Sequence, residues 1–247
     1  MLKDYLTRSR EARYSLTFAL PLLLLYEASS LALSGSAAAG IRNGADVLLK
    51  SLFVTLGGRT GLMLFSLALF GTGAVLVWRD RRRAAEPLDA RVFGYMLGES
   101  ALYAGGFGFV VGWLTSMVLA GPRLLSLQGT VPGTALDLPT QLVVSLGAGI
   151  YEELLFRVLL TGGLLWAFRA AFKWGRPAAA SAAVLVSALI FSAFHYVGPL
   201  GDAFTVSSFT FRAIAGVAFS GLYVTRGLGI TAWTHALYDV GLSILTA

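Results

Sequence analysis

Six side chains in the second half of the chain could carry acid–base chemistry from within apolar surroundings. The run Gly147-Ala148-Gly149-Ile150-Tyr151-Glu152-Glu153-Leu154-Leu155-Phe156-Arg157 sets two carboxylates and a guanidinium in an otherwise apolar segment. Glu153 and Arg157 stand four residues apart, which on a helix places them on one face and lets them pair. Glu152 is then rotated away by about 100° and has no local cation. A carboxylate left without a partner in apolar surroundings is the kind of group that serves as a general base.

Both histidines of the chain also fall in apolar runs. His195 follows Phe191 by one helical turn, and His235 precedes Asp239 by four residues, so that imidazole and carboxyl project from one helix face. An ionisable group inside a membrane span costs about 2.5–3.5 kcal/mol on insertion scales, and each therefore calls for a reason. A Glu–Arg pair can simply lock helix packing, and a lone membrane histidine usually bonds between helices. An unpaired glutamate, two histidines and an aspartate together supply a base, an orienter and hydrogen-bond donors, the groups that water-dependent attack on a carbonyl needs.

The elements that must position these groups follow from composition. Of 247 residues, 56% are hydrophobic and 13% charged, against roughly 25% charged in a soluble domain. Mean hydropathy is +0.74. Such a chain is not disordered, collagen-like or a solvated coiled coil. The net charge of +6 is spread between apolar runs and forms no stripe for nucleic acid. With no cysteine, any metal would need His or carboxylate ligands.

Runs long enough to cross a core of ~30 Å cover residues 14–33, 61–78, 93–120, 140–168, 177–197, 204–225 and 230–246. The stretch 45–56, which carries Lys50, reads as interfacial or re-entrant. The expected fold is all-α: a polytopic transmembrane bundle of about seven to eight helices with an internal polar catalytic cavity. It forms a single integral membrane domain over 1–247, with the motif-bearing half at about 140–247. Lys3, Arg8, Arg10 and Arg13, then Arg79, Arg81, Arg82, Arg83 and Arg91, then Arg169, Lys173, Arg176 and Arg226 collect on one side. Arg42, Lys50, Arg59 and Arg123 fall on the other, which sets the N-terminus in the cytoplasm and the C-terminus outside. The long external loops are 34–60 and 121–139.

Measured from opposite membrane faces, His195 lies about 18 residues in and Glu152 about 12. The two then meet only if the fourth helix starts well outside the membrane or tilts. Glu27 and Glu99 are expected to bond between helices. Arg212 could bind a substrate carboxylate or pair with an acidic neighbour. The small residues of 216–221 are expected to pack the sixth span closely.

Glu152, Glu153 and Arg157 (Glu-Glu-x-x-x-Arg), Phe191 and His195 (Phe-x-x-x-His), and His235 and Asp239 (His-x-x-x-Asp) occur in order, each set in its own span. This ordered set resembles the three motifs of the CAAX-processing and bacteriocin-processing (CPBP, or Abi) intramembrane proteases, which include the type II prenyl-protein endopeptidase Rce1. The resemblance implies an eight-helix or similar bundle with a water-accessible cavity and peptide-bond hydrolysis at the membrane. Carried over, Glu152 would activate water with His195 assisting, His235 and residue 239 would form the oxyanion site, and Glu153 and Arg157 would brace the motif helix. Many members have Asn where this chain has Asp239; an ionised Asp cannot donate to an oxyanion, so Asp239 is expected to orient His235 or to act while protonated. The implied partners are the lipid bilayer and a membrane-anchored peptide or protein, cut near its C-terminus. The implied location is the bacterial cytoplasmic membrane, and a C-terminal sorting protease of the myxosortase kind fits the composition.

No cofactor is favoured. Zinc held by Glu152, His195 and His235 is the alternative, but the motif lacks the paired histidines of His-Glu-x-x-His, and Arg157 beside the site opposes a cation. Two rival functions stand beside the protease: an ion- or proton-coupled transporter relaying charge at the midplane, and an inactive immunity or scaffold protein of the same fold. A transporter would be expected to show inverted repeats, and the sequence contains none.

Overall fold

The computed structural model describes residues 2–34, 42–83, 86–119, 136–198 and 201–246, and these residues form helices and connecting turns with no strand. A short α1 (Leu2–Arg8) leads into α2 (Ala12–Ser34), α3 (Gly44–Arg83) and α4 (Ala90–Val118). Next comes a rod made of α5 (Leu138–Gly147), a π-helix (Ala148–Thr161) and α6 (Gly162–Ala171). The chain then continues through α7 (Arg176–Phe194), α8 (Val206–Arg226) and α9 (Leu228–Thr246). Five of these elements are long and apolar enough to cross a membrane: α2, α3, α4, the 34-residue rod and α7. Helices α8 and α9, of 21 and 19 residues, reach the same length but carry more polar side chains. Leucines 24, 25, 31, 67 and 102 lie exposed on the outer faces of the first helices, the pattern of a bundle that meets lipid rather than water. The protein is an integral membrane helical bundle. Arg123 and most of the loop 121–139 lie outside the described residues.

Helix α3 reverses within itself. Gly57 and Gly58 leave helical backbone, with Gly58 at φ +56°, a conformation that glycine adopts without steric cost. Residues 44–56 fold back beside 59–83: the Phe53 and Phe65 rings lie 4.9 Å apart, and the Gly61 backbone abuts the Phe53 carbonyl. Thirteen residues of helix reach only about 20 Å, so this arm falls short of a bilayer core of ~30 Å.

Helix α9 is the central element, packed against α2, α4, α5, the π-helix and α8. Its small residues allow this. A methyl group placed on Gly149 would meet Ala236 Cβ at 2.5 Å and the Ala232 carbonyl oxygen at 2.6 Å, the close backbone approach on which membrane helices rely. Gly216 likewise packs on Ala188 of α7, where a methyl group would sit 3.0 Å from its backbone.

The cationic ends gather on one side. Arg13 donates from its backbone to Asp80 (2.8 Å) and from its side chain to the Glu86 carbonyl (2.6 Å), tying the start of α2 to the end of α3. Arg226, at the end of α8, grips Glu99 of α4 through two bonds of 2.6 and 2.7 Å, and Tyr5 of α1 donates to the same carboxylate. Glu27 takes Lys50 (2.8 Å), Arg42 (3.1 Å) and the Tyr151 hydroxyl (2.6 Å). Both single glutamates thus bond between elements.

Candidate active site

The rod opens with Asp137 as cap, accepting from the Thr140 amide at 3.2 Å, and with Pro139 in its first turn, an N-terminal arrangement suited to helix initiation. Its middle is not the plain α-helix that the apolar pattern suggests. From Ala148 to Thr161 it is π-helical, a form concentrated at functional sites. The Phe156 carbonyl accepts the hydroxyls of Thr161 (2.7 Å) and of Ser187 on α7 (2.8 Å). The motif carboxylates sit on this stretch, with Glu153 fully buried and Glu152 6% exposed.

Glu153 joins two motifs. Its Oε2 lies 3.2 Å from Arg157 Nε, the expected i, i+4 pair, and its Oε1 accepts from His235 Nδ1 at 2.7 Å. His235 Nε2 faces Asp239 Oδ2 at 3.4 Å, so both ring nitrogens meet carboxylates. The Arg157 guanidinium is packed between rings, 4.4 Å from the Phe191 centroid and 5.3 Å from that of Phe219, and Phe219 stacks on His235 at 4.3 Å. Burying a cation in this way is tolerable because the aromatic faces and one carboxylate replace its water.

Glu152 turns to a different set. Its Oε1 accepts from Asn43 Nδ2 at 2.9 Å, while its Oε2 has no hydrogen-bond partner among the described residues and lies 4.0 Å from His195 Nε2. His195 caps α7, and its Nδ1 lies 2.9 Å from the Phe191 carbonyl. A carbonyl only accepts, so Nδ1 carries the proton and Nε2 is turned toward Glu152. The depth conflict between these two residues dissolves here. Glu152 lies twenty residues before Phe172 and His195 twenty residues after Gly175, so the turn joining α6 to α7 levels them. Counting from that shared turn, rather than from opposite membrane faces, would have found the pairing in the sequence.

All six expected site residues therefore gather where the π-helix, α7 and α9 meet. Arg212 does not join them; it pairs with Asp202 and donates to Ser208 at 2.7 Å. Asn43 was absent from the sequence expectations. So was the ionic cluster behind it, in which Asp46 accepts from Tyr26 (2.7 Å) and Arg42 (2.8 Å) and pairs with Lys50 (2.7 Å). The available signal was a helix-capping Asn next to Arg42, Asp46 and Lys50 at successive i, i+4 positions in an apolar chain.

Among the described residues, no three His, Cys, Asp or Glu side chains form a group that could hold a metal ion. Each histidine rests its Nδ1 on an acceptor, the Phe191 carbonyl for His195 and Glu153 for His235, and turns its Nε2 toward Glu152 and Asp239 respectively.

Two carboxylates, two histidines and an arginine thus meet on three helices inside a membrane bundle, where each ionisable group is costly. Residues 134–241 match the family model described as type II CAAX prenyl endopeptidase Rce1-like. This match spans every motif residue, so over the motif-bearing part the chain is similar to the Rce1-like type II CAAX prenyl endopeptidases. Neither the curated proteins nor the solved structures gave a match.

Proposed function

We propose that the protein hydrolyses a peptide bond of a membrane-anchored peptide or protein, near its C-terminus, with water activated by Glu152 and His195. The observation that carries this reading is the 4.0 Å gap between Glu152 Oε2 and His195 Nε2. Both atoms are acceptors aimed at one point, and a single water can bridge such a gap by donating to each. Glu152 takes a proton as the water oxygen bonds to the scissile carbonyl carbon. His235 Nε2 serves the oxyanion, because Asp239 holds it only at 3.4 Å, beyond a well-formed hydrogen bond. The C–N bond then breaks, the amine leaves with a proton returned from Glu152, and the water oxygen stays in the new carboxyl group. Glu153 and Arg157 hold the π-helix and His235 in register.

The mechanism proposed is metal-free and glutamate-dependent. The enzyme is assigned to a bacterial cytoplasmic membrane, with the cation-rich end of α2, α3 and α8 in the cytoplasm. Hydrolysis of tail-anchored peptides by the purified protein in lipid vesicles, with Glu152→Gln and His195→Ala as comparisons, tests this function.

A further inference from the structure

The first motif carboxylate is aimed by a residue outside all three motifs. Asn43 precedes α3 and uses both ends of its amide. Its Oδ1 accepts from the Ala45 backbone at 2.8 Å, capping the helix, while its Nδ2 donates to Glu152 Oε1 at 2.9 Å. That single bond decides which oxygen of Glu152 is left to face His195. Asn43 is itself fixed. Its backbone N–H donates to Tyr26 at 3.0 Å, and the Tyr26 hydroxyl donates to fully buried Asp46 at 2.7 Å. Asp46 is in turn held by Arg42 and Lys50, and both cations also bind Glu27. On its other side, Asn43 Cβ lies so near Gly147 that a methyl there would approach it to 2.6 Å. An anchored chain of charge-assisted bonds closed on a fully buried Asp46 is rigid once built.

We propose that Asn43 is a positioning residue that holds Glu152 Oε1 and thereby directs Oε2 toward His195, with the Glu27–Arg42–Asp46–Lys50 cluster as its anchor. This rests on the reading of Glu152 as the base, yet the bond can be tested apart from any substrate. The two roles of the side chain separate by substitution. Asn43→Ser and Asn43→Asp keep a capping oxygen but remove the N–H donor to Glu152.

The test treats full-length protein in lipid vesicles with the hydrophobic reagent dicyclohexylcarbodiimide and follows modification of Glu152 by peptide mass spectrometry, beside thermal unfolding. Both variants are expected to melt close to wild type while the Glu152 modification rate changes by about tenfold, the weight of one hydrogen bond to a charged group. Tyr26→Phe, which frees the Asn43 backbone, is expected to move the rate in the same sense. An unchanged rate in cap-retaining variants would overturn the proposal, as would loss of the fold in both, since Asn43 would then serve only the helix. Where tail peptides are cleaved, the same variants lower kcat and leave KM nearly unchanged. Equal cleavage by wild type and Glu152→Gln would remove the base assignment without touching the carbodiimide result.

Discussion

Glu153 Oε1 accepts a 2.7 Å bond from His235 Nδ1, so the first and third motifs meet directly. Among the described residues the same carboxylate is the one that pairs with Arg157, at 3.2 Å. Removing it by Glu153→Ala leaves a buried guanidinium uncompensated, a loss of about 3–5 kcal/mol. Glu153→Gln keeps an oxygen for His235 and is expected to lose less. Thermal unfolding in detergent ranks the three proteins; equal melting of wild type and Glu153→Ala would refute the bracing role.

The approach of α9 to the π-helix depends on Gly149. A methyl there meets Ala236 and Ala232 at 2.5–2.6 Å, and overpacking of this kind costs about 1–3 kcal/mol. Gly149→Ala is expected to destabilise the protein and to displace His235 from Glu153, lowering any cleavage. Gly162→Ala, with nothing within 4 Å of the added methyl, is the control and should be neutral. Equal stability of the two variants would contradict the close packing.

Docking of α1 carries a pH signature. Burial, and then the Glu99 carboxylate beside it, push the Tyr5 hydroxyl above the ordinary tyrosine range. A raised folded value means the stabilisation is fully present below the unfolded value of about 10 and fades as pH climbs from there toward the folded one. Wild type should therefore melt higher than Tyr5→Phe at neutral pH, with the difference shrinking above about pH 10. A constant difference across that range would contradict the Tyr5–Glu99 contact.

Much of this was legible in the sequence because a membrane makes charge conspicuous. Glu152, Glu153, Arg157, His195, His235 and Asp239 stand out from apolar runs, and the Glu153–Arg157 pair follows from spacing alone. The link between Glu153 and His235 was hidden, since it depends on how α9 lies against the π-helix. The π-helix itself leaves no mark in an apolar run that reads equally well at 3.6 residues per turn. Asn43 was hidden for the opposite reason: a polar residue before a short helix looks like an ordinary cap, and only tertiary packing brings it to Glu152. The stretch 45–56 reads as interfacial or re-entrant, but the reversal at Gly57-Gly58 and the Phe53–Phe65 contact it produces were not foreseen.

The central claim is that Glu152 supplies the base for peptide hydrolysis. The most direct measurement compares cleavage of tail-anchored peptides in lipid vesicles by wild type, Glu152→Gln and His195→Ala, with wild type repeated in a strong chelator. Cleavage by wild type with and without chelator, and a fall of about 100-fold or more in both variants, is the expected result. Cleavage by Glu152→Gln at the wild-type rate would contradict the claim, and loss of wild-type activity in chelator with recovery on adding zinc would contradict the metal-free mechanism.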